Sequence, residues 1–257
     1  MLHERLDWVI ENRIRPEIGL EGDTLYTRRP EDFALVAERL QTAGLACTLH
    51  APFFDLAPGA LDPRILAASR EKLRLAFDLL PIFRPATIVC HLAYEENKHG
   101  YQHAKWFANA RATWEEMLAR TAAVGTPLML ENTYETNPEV HRAMLTALDS
   151  PRVRFCLDAG HVLAFARNSW RDWLPALQPW LGQLHLHDNH GGRDEHLPIG
   201  AGAFPWPEFF EYLRAEGLTP LVTLEPHSER DLWQTLANLD QLRYLDYLSG
   251  TPSVQPS

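Results

Sequence analysis

Short apolar, β-branched runs alternate along the chain with longer stretches in which apolar residues recur every three or four positions. The first pattern predicts strands and the second helices, and their alternation predicts βα units around a parallel sheet. A helix comes first, because Leu2, Leu6, Val9, Ile10 and Ile14 lie at helical spacing, and the first strand is expected only at Glu17–Leu20. Pro30 opens a second helix and Gly44 closes it. The run LACTLH (45–50) predicts a strand, and Asp62 as N-cap with Pro63 behind it starts a helix reaching Leu80. Strand 87–92 (TIVCHL) leads into a polar-aromatic loop, AYEENKHGY, and a helix that Gly125 ends. Strand 127–132 (PLMLEN), a helix begun by Asn137 and Pro138, and strand 153–158 (VRFCLD) follow. Then come a Trp-rich helical segment over 162–181, a strand ending in HLHD (185–188), a helix over 207–216, strand 221–226 (LVTLEP) and a last helix over 229–248.

Six of these seven strands end on a residue with chemistry: His50, His91, Glu131, Asp158, His185 and Glu225. In a parallel barrel the C-terminal strand ends meet on one face, where such folds place their sites. A chain of 257 residues also suits one such barrel. The expected fold is therefore α/β, a TIM (β/α)8-type barrel lacking its first strand, with residues 1–250 as one domain and 251–257 as a flexible tail. A closed barrel needs eight strands, so a missing first strand predicts an opening beside Glu17–Leu20.

The stretch LHLHDNHGGRDEHLPIGAG (184–202) is the densest in chemistry. Strand alternation puts His185 and His187 on one face, and the Gly-rich loop behind them presents Asp194 and His196. Imidazole nitrogens and carboxylate oxygens in that number suit zinc, manganese or a related divalent ion. Taken alone, the stretch also reads as a polar surface loop after an edge strand.

Charge and composition narrow the partners. The formal net charge of −10 argues against a nucleic-acid surface. Cys47, Cys90 and Cys156 each fall in an apolar strand, as buried, reduced thiols of a cytoplasmic protein would. No apolar run is long enough to span a membrane, and the N-terminus lacks the pattern of a signal peptide.

The segments HAPF at His50, VCHL at His91, LENT at Glu131, LDAGH at Asp158 and His161, HLHD at His185, DEHLPIGAG at Asp194 and His196, and LEP at Glu225 together resemble the xylose-isomerase-like TIM barrels. That superfamily holds sugar isomerases and epimerases together with endonuclease IV, of AP endonuclease family 2. The resemblance implies a four-ligand set of Glu131, Asp158, His185 and Glu225 around one divalent ion. Endonuclease IV adds an ion on His50 and His91 with Glu131 bridging, and a third on His161, Asp194 and His196. One to three ions, zinc or manganese, are thus implied.

Two enzyme readings follow. A sugar, sugar phosphate or related hydroxy-carbonyl compound would be isomerised or epimerised through an enediolate, with Glu131 and Glu225 removing and returning the proton. Alternatively, a trinuclear zinc phosphodiesterase would cleave DNA at abasic sites. The full set of nine ligands favours the second. The lack of a basic groove, and Phe53 where endonuclease IV has tyrosine, favour the first. A third class is a barrel that keeps its metal for stability without catalysis. The reading adopted is the metal-dependent sugar isomerase or epimerase, with Phe53, His187, Arg193 and Trp206 as substrate-binding residues; a homo-oligomer is compatible with it.

Overall fold

The computed structural model describes residues 2–244. Its strands are β1 (Glu17–Gly19), β2 (Thr48–His50), β3 (Ile88–His91), β4 (Leu128–Glu131), β5 (Val153–Asp158), β6 (Leu181–Leu186) and β7 (Leu221–Leu224). They form one seven-stranded sheet in chain order, β1-β2-β3-β4-β5-β6-β7. Pairing is parallel at β1–β2, β2–β3, β3–β4 and β6–β7. Strand order equal to chain order, with helices in the connections, is the (β/α)8 topology short of its first strand. Among the described residues no strand precedes β1; the helix Leu2–Glu11 stands there, as the spacing of Leu6 and Val9 predicts.

Two compact units divide the described residues, 2–131 with Val140–Phe155, and Asn132–Glu139 with 156–244. In the first, Leu49, Ile88, Val89, Leu128 and Leu130 are fully buried strand residues, and Leu73, Ala76, Trp114 and Met117 are buried on the helices. Runs buried on both faces read as continuous apolar sequence rather than alternation, which is why these strands are Val/Ile/Leu-rich. Asp62 caps the helix Pro63–Phe77 by accepting from the N–H groups of Arg64 (2.7 Å) and Ile65 (3.2 Å). In the second unit Trp173, Leu174, Phe209, Phe210 and Leu213 form the core. Ser169 and Asp172 cap the helix Trp170–Leu177 reciprocally.

Several boundaries differ from expectation. The helix begun at Asp62 stops at Phe77, because Pro81 has no N–H for the Phe77 carbonyl; a separate turn, Leu80–Phe83, follows and ends on Arg84 at φ 45°. The 162–181 segment is two helices, Ala159–Phe165 and Trp170–Leu177, plus a turn over Gln178–Trp180, since Ser169 starts a new helix. The loop after β3 contains a helical turn, Glu96–His99. The strand expected to carry His187 ends at Leu186. The last helix is described over Glu229–Gln241; its expected end at 248 and the tail 251–257 lie outside the described residues. All three cysteines are buried, and burial pushes the Cys47 thiol up to about 11.

Candidate metal centre

In the first unit His91 and Glu131 are register partners on β3 and β4, so their side chains leave the sheet on the same side. His91 Nε2 lies 3.2 Å and His50 Nε2 3.1 Å from Glu131 Oε2. His50 Nδ1 lies 2.9 Å from the Ala51 carbonyl, which can only accept, so the proton of a neutral His50 sits on Nδ1. The Nε2 lone pair then faces a carboxylate, an arrangement of two acceptors that suits a cation between them. His50, His91 and Glu131 form a group with metal-binding spacing. Phe53 stacks on His91 (4.3 Å between centroids) and meets His50 edge-on (5.3 Å), which shields both rings.

The second unit repeats the pattern. Around Asp194 lie His161 Nε2 at 3.3 Å, His196 Nε2 at 3.1 Å and His187 Nδ1 at 3.6 Å. His161 Nδ1 donates to the Asn132 carbonyl (2.9 Å) and His196 Nδ1 to the Glu225 carbonyl (3.0 Å), so their inner nitrogens again carry lone pairs. These four side chains have metal-binding spacing, and so do Asp158, His187 and Glu225. His185 Nδ1 pairs with Glu225 Oε1 at 2.9 Å, with the Gln183 amide on its other nitrogen. The donor set therefore fits a divalent cation. Without one, protons must separate the acceptors, and the electrostatics show it. Burial opposes charge on His196, yet the hydrogen bond and charge of Asp194 outweigh it and raise the imidazole to about 9. Burial would raise the Asp194 carboxyl, but His161 and His196 hold it well below the usual range.

The loop that delivers Asp194 and His196 hangs on Asp188. This buried carboxylate accepts from the backbone N–H groups of Asn189 (2.9 Å), Gly200 (3.0 Å), Gly202 (3.0 Å) and Phe204 (3.1 Å), and from Trp206 Nε1 (2.8 Å). A bridge between Asp188 and Leu197, 2.8–2.9 Å in both directions, closes the loop on itself. Its tension is visible at His196, whose φ of 51° is the left-handed region. Gly160 supports the other side: a β-carbon there would fall inside the His187 imidazole.

The profile of the family described as "Xylose isomerase-like TIM barrel" matches residues 17–246. The chain belongs to this family. An uncharacterized protein of Methanocaldococcus jannaschii is 26% identical over 84% of this chain and 75% of its own length. Among solved structures, a D-tagatose 3-epimerase-like protein superposes with a TM-score of 0.82 at 23% identity, covering 95% of this chain and 93% of that one. A D-psicose 3-epimerase from Clostridium cellulolyticum H10, solved with D-tagatose, gives 0.75 at 16% identity, with 94% and 92% covered. At such identities the likeness shows the fold.

Within this xylose isomerase-like frame, the nine residues expected as ligands fall into two groups. His50, His91 and Glu131 meet in the first unit; Asp158, His161, His185, Asp194, His196 and Glu225 lie in the second. Of the residues expected to bind substrate, Phe53 lines the first group and Arg193 is exposed on the Asp188 loop. His187 is buried among the carboxylates as a candidate ligand. Trp206, expected to bind substrate, is 1% exposed and its indole N–H donates to Asp188, which ties it to the loop.

Sequence reasoning missed four supporting residues. Asn132 ties the end of β5 to His161, donating to the Asp158 carbonyl (3.0 Å) and accepting from its N–H (2.9 Å). Asp188 and Gly160 act as described. Glu21, just past β1, accepts from the Phe53 N–H (2.9 Å), and burial raises its pKa. The signal for Asp188 was present: an acid opening a Gly-rich loop whose N–H groups need an acceptor.

Proposed function

We propose that this protein is a divalent-metal-dependent isomerase or epimerase of a small sugar, sugar phosphate or related hydroxy-carbonyl compound. The observation that carries the reading is the convergence of neutral imidazole acceptors on carboxylates at the strand ends, which calls for divalent cations in a fold shared with sugar epimerases. Asp158, His185 and Glu225 are the ligands on β5, β6 and the residue after β7, and His50, His91 and Glu131 those on β2, β3 and β4. A bound divalent ion, zinc or manganese, supplies Lewis-acid polarisation of the substrate's hydroxyl and carbonyl oxygens. Glu131 and Glu225 are the proton-handling carboxylates, one removing the proton beside the carbonyl and the other returning it. Phe53 shields the first group from water, and Arg193 is the residue for a substrate phosphate.

The full set of nine ligands favours a second reading, a metal phosphodiesterase acting at abasic sites in DNA. The net charge of −10 weighs against it. The two separate in one experiment. Purified protein, loaded with zinc or manganese, is offered a panel of ketoses in D2O and, separately, an abasic-site duplex. Deuterium appearing at a ketose carbon next to the carbonyl is the expected result. Multiple-turnover cleavage of the duplex with no exchange into any ketose would overturn the proposal.

A further inference from the structure

His187 is the residue whose surroundings the nine expected ligands leave unexplained. Its Nε2 lies 3.1 Å from both carboxylate oxygens of Asp158. A carboxylate only accepts, so this nitrogen carries the hydrogen of the neutral ring and Nδ1 carries the lone pair. That lone pair points at Asp194 Oδ1, 3.6 Å away. Both atoms are buried, and neither makes a hydrogen bond. Two unpartnered acceptors facing each other inside a protein repel unless a positive charge lies between them.

The same arithmetic holds around the rest of Asp194. His161 spends its outer N–H on the Asn132 carbonyl and His196 on the Glu225 carbonyl, leaving both inner nitrogens as acceptors toward Asp194 Oδ2. His187 spends its own on Asp158. All three imidazoles are thus oriented alike, by an oxygen behind and the Asp194 carboxylate in front. A histidine held by a carboxylate at one nitrogen and turned to a metal at the other is a recurrent device for fixing the ring and raising its basicity. The ring cannot swing away: Gly160 presses on one side, and His196 stacks on it at 3.9 Å with 9° between planes.

We infer that His187 is the fourth protein ligand of the ion held by His161, Asp194 and His196, through Nδ1. Three imidazoles and one carboxylate would supply the four donors that a structural zinc takes, and the four donor atoms all lie within 4.8 Å of one another. A site filled by protein has no open position for water or substrate. This ion therefore orders the loop from Asp188 to Trp206 and does not generate hydroxide. The inference rests on the reading that the strand-end cluster binds divalent metal, and it is independent of which substrate is turned over.

The test counts ligands rather than activity. Metal-free protein is titrated with cobalt(II) and its visible spectrum recorded, and zinc content is measured after dialysis. Wild type should give the intense absorption of four-coordinate cobalt. His187→Asn should lower zinc affinity at the Asp194 site by about 100-fold and shift the cobalt spectrum toward the weak bands of higher coordination, as water enters. In wild type, 15N imidazole spectra during zinc titration provide a measurement that no folding defect can confuse: Nδ1 of His187 should shift together with Nε2 of His161 and His196. An unchanged His187 signal, or a His187→Asn protein with wild-type cobalt spectrum and affinity, would overturn the assignment while leaving the proposed activity standing. Failure of the wild type to bind cobalt or zinc at all would overturn both.

Discussion

Gly160 and His187 are in such close contact that no side chain larger than hydrogen fits between them. The glycine of LDAGH and the second histidine of HLHD lie 27 positions apart in the sequence, yet one makes room for the other. Gly160→Ala forces the ring off Asp158 and Asp194. We expect a loss of about 1–3 kcal/mol in urea unfolding, as for other overpacked interiors. We also expect weaker zinc binding at Asp194, with the His50, His91 and Glu131 group unaffected. Wild-type zinc stoichiometry in a stable Gly160→Ala protein would show that His187 is free to move.

Asp188 should be the residue on which the metal-bearing loop depends. Asp188→Asn keeps the shape but turns an NH2 group toward donors that now lack an acceptor. The expected cost is about 2–3 kcal/mol in unfolding free energy. Limited proteolysis should show faster cleavage between residues 190 and 205, with the remainder of the chain as resistant as wild type. Equal cleavage rates in the two proteins would mean that the loop has another anchor.

Glu131→Gln and Glu225→Gln each remove a charge and a base at nearly constant volume. Turnover of an identified ketose should fall at least ~100-fold in either variant at saturating metal. Metal content measured alongside separates lost proton transfer from lost ligation. Wild-type turnover in either protein removes that carboxylate from the mechanism.

The pH dependence of stability should reverse sign with metal. His196 has a folded pKa raised from 6.5 to about 9, so without metal its contribution is fully present below pH 6.5 and is lost as the pH rises through 9. Asp194, held below its ordinary 3.8, contributes above that pH and loses its contribution as the pH falls further. Stability in the presence of a chelator should therefore fall between pH 6.5 and 9, by about 3 kcal/mol at most. With saturating zinc it should rise over the same range, because the ion competes with protons for the imidazoles. Parallel curves with and without zinc would argue that His196 is not a ligand.

Much of this arrangement is local and so was legible in the sequence. Strand and helix periods, the Asp62 cap and the acid or imidazole at six strand ends follow from chemistry within a few residues of each position. Parallel order then brings strand ends together without further information, which is why His91 and Glu131 could be placed in one group before any coordinates. The helix before β1 was equally legible, because Leu2, Leu6, Val9 and Ile10 recur at helical spacing.

Other features required the tertiary structure, because they depend on groups distant in sequence competing for the same space or the same proton. Trp206 looked like an aromatic for a substrate until the structure placed its N–H on Asp188, 18 residues earlier. The role of His187 was undecidable from alternation alone, since only the carboxylates on either side of its ring determine which nitrogen carries the lone pair. Breaks at Phe77 and Ser169 were also misjudged, where a proline and a capping box override a continuous helical pattern. Sequence by itself determined which chemistry the strand ends carry; the fold decided which atoms of those residues face one another, because donor and acceptor roles are properties of contacts and not of residues.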